Sequence, residues 1–126
     1  MPKRILIVED DAATRQVLHL RLKLHHYETI PVADAVTAMA EARKQQPDLV
    51  LLDLGLPGGG GLNLMQRFQS IPKLAVIPVI VLSARERTAM EKPVLDAGAR
   101  AFFQKPVNQD ALLAKIRELI GESGAT

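Results

Sequence analysis

Short apolar runs alternate with helix-length amphipathic segments five times along this chain. Residues 5–8 (ILIV), 27–33 (YETIPVA), 48–53 (DLVLLD), 77–83 (IPVIVLS) and 99–103 (ARAFF) read as strands. Pro31 marks the second as an edge strand, and Pro78 opens the fourth. Between the strands, Ala13, Val17, Leu20 and Leu24 recur at helical steps over residues 12–25. Asp10 or Asp11 is positioned to cap that helix, and Asp34 caps the next, which runs to about Gln46 with Val36, Met39 and Ala40 inward. Leu62, Met65 and Phe68 mark a third helix. Residues 86–97 form a fourth that stops at Gly98, and Asn108 caps a last one carrying Leu112, Ile116 and Leu119 and ending at Gly121. Buried strands alternating with helices imply an α/β fold: a parallel sheet with helices on both faces.

A chain of 126 residues suits one domain, here 1–121, with 122–126 a frayed tail. Only 3% of residues are aromatic, so the core must be built from Val, Ile, Leu and Ala. Cysteine is absent, which excludes disulfides and thiolate metal sites and fits a reducing, cytoplasmic setting. The longest apolar run, AVIPVIVL, is too short to cross a bilayer, and the N-terminus is not a secretory signal. A net charge of +2 argues for neither nucleic acid nor membrane as a partner.

Polar residues fall at the C-terminal strand ends, which lie on one edge of a parallel sheet. Glu9 and Asp10 follow the first strand, Asp53 ends the third, Ser83 ends the fourth and Lys105 follows the fifth. In the flavodoxin-like strand order 2-1-3-4-5, this doubly wound sheet reverses direction between strands one and three, where ligands bind. Glu9, Asp10 and Asp53 would meet there. Three carboxylates together repel unless a cation joins them, and oxygen ligands on a wet edge suit Mg²⁺. Lys105 and Ser83 add a cation and a hydroxyl donor, completing a site for a phosphoryl group, with Asp53 as a nucleophile able to form an acyl phosphate. The run after Asp53, LGLPGGGG, supplies slack: its glycines allow positive φ and leave no side chain over the carboxylate.

Taken together, ILIVEDD, LVLLDLGLPGGGG, VIVLSAR and FFQKPV resemble the receiver domain of two-component response regulators, the CheY-like family. The resemblance spans residues 3 to about 120. It implies that Asp53 accepts a phosphoryl group from the phosphohistidine of a sensor histidine kinase or phosphotransfer protein. It implies that Glu9 and Asp10 hold Mg²⁺ with Asp53 and the Gly55 backbone carbonyl. Ser83 and Lys105 would bind the phosphoryl oxygens, and Lys105–Pro106 would be a cis bond. Phe102 matches the switch aromatic. Ser83 would move towards the phosphoryl group, Phe102 would fill the vacated space, and the face of the fourth helix, fifth strand and last helix would be remodelled for an output domain, a downstream protein or a homodimer. Such a protein is not an enzyme beyond its own phosphorylation and dephosphorylation.

Some positions depart from the family's pattern. Gly60 replaces a usual Asp, Asn or Ser. Pro93 lies inside the fourth helix, where a kink or break near residues 89–93 is expected. Arg100 and Ala101 replace the acids that help the winged-helix transcription-factor subfamily to dimerise, although LDLGLP and VLSAR resemble that subfamily's potassium-responsive members. His19, His25 and His26 read as surface cations near the first helix C-terminus, and Arg85, Arg87 and Lys92 as a solvated basic face that borders either the site or a partner surface. Whether the chain acts alone or as the receiver of a larger regulator stays open. A haloacid-dehalogenase-like phosphatase needs Asp-x-Asp, which Asp53-Leu54-Gly55 lacks. An FMN carrier needs a phosphate loop where this chain has acids.

Overall fold

The computed structural model describes residues 2–57 and 60–122. Strands β1 (Arg4–Val8), β2 (Glu28–Val32), β3 (Leu49–Asp53), β4 (Val79–Ser83) and β5 (Ala101–Gln104) form a parallel sheet in the order β2-β1-β3-β4-β5. Pro31 does lie on an edge strand, opposite Ile7. The helices are α1 (Ala12–Leu24), α2 (Ala35–Gln45), α3 (Gly60–Ser70), the short α4 (Pro72–Ala75), α5 (Arg87–Asp96) and α6 (Gln109–Ile120). The sequence reading had no α4. Pro72 starts it at a position where a missing N–H costs nothing.

Alternate strand residues feed two cores. Leu6, Val8, Val50, Leu52, Val79 and Val81 pack under α2, α3 and α5 with Met39, Phe68 and Val94. Ile5, Ile7, Leu49, Leu51, Ile80 and Leu82 pack under α1 and α6 with Leu18, Leu22, Leu112 and Ile116. β3 and β4 are buried along their whole length, as a sheet covered on both faces requires. The caps are those the acids and Asn108 suggested. Asp11 rather than Asp10 accepts from the Thr14 N–H, Asp34 from that of Thr37, and Asn108 from that of Ala111.

Two helix faces differ from the expectation. On α1 the inward residues are Leu18 and Leu22, while Val17, Leu20 and Leu24 are exposed. On α2 they are Ala38, Met39 and Ala42, while Val36 and Ala40 face outward. Both helices carry two overlapping apolar stripes, and docking on the sheet chose between them. The expected break in α5 is also absent: the helix runs from Arg87 to Asp96 with Pro93 inside. Pro93 removes only the bond to the Ala89 carbonyl. The turn before it is anchored by the Met90 N–H on the Glu86 carbonyl, and the turn after by the Ala97 N–H on the carbonyl of Pro93.

The glycines after Asp53 meet the expectation only in part. Gly55, Gly60 and Gly61 do not have positive φ, and Gly58 and Gly59 lie outside the described residues. A Cβ on Gly61 would stand 2.6 Å from the Leu54 carbonyl oxygen, so glycine lets α3 start against that backbone. Gly98 does adopt φ 110°, and the Gly98 and Ala99 N–H groups bond to the carbonyls of Leu95 and Val94, closing α5 in a Schellman turn. Gly121 closes α6, and residues 123–126 of the expected tail lie outside the described residues.

Candidate functional site

The polar strand ends converge on the edge where β1 and β3 adjoin. β3 carries Asp53 as its last residue, paired with Leu82 of β4, and the Leu54 N–H continues the ladder to the Leu82 carbonyl at 2.9 Å. That pairing holds the carboxylate on rigid backbone. Glu9 follows β1 and its N–H still bonds to the Val32 carbonyl at 3.1 Å. Glu9, Asp10 and Asp53 each offer a carboxylate oxygen within 4.8 Å of the others. Glu9 and Asp53 are buried and Asp10 is exposed, so the hollow opens to solvent on one side.

Lys105 reaches into this group from beyond β5. Its Nζ donates to Glu9 Oε1 at 2.7 Å and lies 3.4 Å from Asp53 Oδ1. The Lys105 N–H bonds to the Ser83 carbonyl at 2.7 Å, which ties the β5 exit to the end of β4, and the Lys105–Pro106 peptide is cis. The Gly55 N–H donates to Asp53 Oδ1 at 2.9 Å. A Cβ on Gly55 would stand 3.4 Å from that same oxygen, so glycine keeps the carboxylate uncovered. Ser83 is buried at the same edge, and its Oγ accepts from the Arg85 N–H at 3.0 Å, which leaves the hydroxyl hydrogen to donate.

The electrostatics separate the two buried acids. Burial pushes the Glu9 carboxyl above the usual carboxylate range, against the pull of Lys105 and the Asp11 amide. Burial also opposes ionisation of Asp53, but the Gly55 amide, Glu9, Lys105 and Asp10 together hold it below the ordinary value. Lys105 is desolvated, yet bonding to Glu9 and the charge of Asp53 raise its pKa. Of the two buried acids, Asp53 is the one whose ionised form these contacts favour. An all-oxygen donor set with one solvent-facing member, gathering more negative charge than one lysine cancels, fits a hard divalent cation such as Mg²⁺.

Phe102 lies apart from the carboxylates. It is buried, with the Arg87 guanidinium 5.8 Å above its ring. The Arg87 N–H bonds to Gln104 Oε1 at 3.2 Å, and its side chain pairs with Glu91 at 2.8 Å. Gln104 was not singled out from sequence. Nor was Arg15, whose Nη1 donates to the Glu9 carbonyl at 2.8 Å and braces the acid loop. An arginine one turn into a helix that follows paired acids is the signal that could have found it. The histidines divide: His19 bonds to Thr29 from mid-helix, while His25 and His26 lie at the α1 terminus.

A parallel sheet of this order with this edge defines a class, and comparison with known proteins agrees. The family model described as the response regulator receiver domain matches residues 5–117, and the chain belongs to that family. It is 39% identical to the transcriptional regulatory protein KdpE of Staphylococcus aureus, over 93% of this chain and 49% of that protein. It is 29% identical to the polar-differentiation response regulator DivK of Brucella anthropi, over 98% of this chain and 100% of that protein. The chain thus spans half or less of the first curated relatives it matches and the whole of a shorter one. Among solved structures, the receiver domain of a sensor histidine kinase from Pseudomonas aeruginosa superposes with a TM-score of 0.86 at 26% identity, covering 97% of this chain and 100% of that one. That structure has a magnesium ion coordinated in its active-site cleft.

Proposed function

We propose that this receiver domain is a magnesium-dependent phosphoryl switch whose acceptor is Asp53. The observation that carries the reading is the bridge of Lys105 between Glu9 at 2.7 Å and Asp53 at 3.4 Å, which brings the ends of β1, β3 and β5 together around one carboxylate. An Asp53 oxygen forms the bond to phosphorus while the bond from phosphorus to the donor breaks, and the donor leaves with that electron pair. Glu9, Asp10 and Asp53 are the residues that would hold Mg²⁺, with the Gly55 carbonyl as a further ligand. The ion would supply charge neutralisation at the transferring oxygens. Lys105 serves as a point cation for the phosphoryl group, and Ser83 donates its hydroxyl. The domain catalyses nothing beyond its own phosphorylation and dephosphorylation.

The donor is a sensor histidine kinase or phosphotransfer protein. A groove of about 560 Å³ beside the site, lined by Ala13, Val17, Pro106 and Val107 as well as Lys105, supports an apolar contact with it. The exposed Val17, Leu20 and Leu24 extend that surface along α1. The output is the face of α5, β5 and α6 around Phe102, contacted by a downstream protein, an output domain or a second copy. Among the described residues no helix is long and apolar enough to cross a membrane, which supports a cytoplasmic placement.

Incubation with Mg²⁺ and acetyl phosphate should add the mass of one phosphoryl group to the intact chain. Asp53→Asn should abolish that gain, and Asp10→Ala should weaken magnesium binding measured by titration. An unchanged mass gain in Asp53→Asn would sink the assignment.

A further inference from the structure

We propose that the groove between α2 and the α3–α4 pair docks an acidic amphipathic helix of a partner protein. Val36, Met39, Ala40 and Arg43 lie at i, i+3, i+4 and i+7 on α2 and form one wall of a hollow of about 410 Å³, with Arg67 of α3 opposite. An adjoining hollow of about 360 Å³ continues past Arg43 to Gln46, Ile71, Lys73 and Leu74. This is the stripe that the hydrophobic pattern assigned to the core. The structure keeps Met39 in the core but turns Val36 and Ala40 outward, leaving Val36 78% exposed.

Two features specify the occupant. No carboxylate lines either hollow, and the side chains of Arg43, Arg67 and Lys73 make no hydrogen bond or ion pair among the described residues. Other surface cations divide: Arg4, Arg21, Arg87, Lys92 and Arg117 each have an acidic partner, whereas Lys23, Lys44, Arg85 and Arg100 have none among the described residues. Arg43, Arg67 and Lys73 differ in lining one continuous groove. A row of unpaired cations along an apolar floor is complementary to carboxylates flanking an apolar ridge. The stripe from Val36 to Gln46 is roughly 15 Å long, about three turns of a docked helix. A nucleic acid would satisfy the cations but bring no apolar ridge to the floor.

The groove lies on the α2–α5 side of the sheet, whereas the donor groove lies on the α1–α6 side, so both can be occupied together. The proposal does not depend on phosphorylation.

The probe is a synthetic amphipathic helix of roughly four turns. It carries leucines at i, i+3, i+4 and i+7 flanked by glutamates, and it is titrated into the isotopically labelled chain. Saturable amide shifts are expected over residues 36–46 and 67–74, with affinity falling as salt rises. Affinity should drop at least about tenfold in Arg43→Glu/Arg67→Glu, a loss of about 1.4 kcal/mol. Magnesium and beryllofluoride binding should stay as in wild type, which shows that the double variant is folded. If it is not folded, Arg43→Gln replaces it, with the same direction of effect. Each of four results overturns the proposal: no binding; equal binding of a peptide with lysines for the glutamates; tighter binding of a short DNA duplex to the same residues; or concentration-dependent shifts of these amides without peptide.

Discussion

Asp34 sits in extended backbone before α2, and its carboxylate accepts from the Thr37 N–H at 2.7 Å and from the Thr37 hydroxyl at 3.1 Å. Those bonds favour the ionised form and lower its pKa. An acid lowered in the folded state contributes stability that is full above its unfolded pKa and is lost as pH falls through the folded one. The thermal midpoint of wild type should therefore fall more steeply than that of Asp34→Asn as pH drops below about 3.9. Parallel slopes in calorimetry would remove this role. His26 offers a second residue-scale test. It holds φ 69° in the Schellman turn that ends α1, where the Tyr27 N–H bonds to the Leu22 carbonyl, and its side chain is exposed. Glycine takes that conformation without the Cβ penalty, so His26→Gly should stabilise the chain by ~0.5–1 kcal/mol in urea unfolding. Among site residues, Glu9, Asp10, Asp53 and Lys105 were legible because their positions after strands put them on one edge. Arg15 and Gln104 were not singled out, because each acts through a backbone group; for Arg15 the sequence signal was its place one turn into the helix after the paired acids.

At the scale of elements, α5 is the exception to local propensity. An interior proline costs roughly 3 kcal/mol relative to alanine in a free helix, yet the element forms because Val94 is buried and Gly98 closes it. Pro93 itself is exposed. Pro93→Ala should restore the bond to Ala89 and raise stability by about 1–3 kcal/mol, read as a shift of the urea midpoint with unchanged slope. A destabilised variant would mean that the helix needs its proline. The five longer helices, the caps at Asp11, Asp34 and Asn108 and the stop at Gly98 were readable because they rest on neighbouring residues; the one-turn α4 was not. The buried faces of α1 and α2 were not, because each helix carries two apolar stripes and the choice is made by the strands beneath.

Across the whole molecule, the sheet separates two cores, and long-range contacts hold the outer layers to it. Tyr27, just before edge strand β2, donates its hydroxyl to the Gly121 carbonyl at the end of α6, a 2.7 Å bond that fastens the last helix to the first half of the chain. Tyr27→Phe should lower global stability by ~1 kcal/mol and speed hydrogen exchange in the last turn of α6. Unaltered exchange there would show that the helix is held by its apolar face alone.

By itself the sequence determined the α/β class, the strand run, the helix caps and the shared edge for the acids and the lysine. These follow from period, capping chemistry and the direction of parallel strands, all of which are local or topological. Tertiary structure decided which stripe of α1 and α2 met the sheet and that α5 would continue through Pro93. It also decided that Gly61 lets α3 start against the Leu54 backbone. Those outcomes depend on competing contacts between distant segments, and only the packed chain resolves that competition.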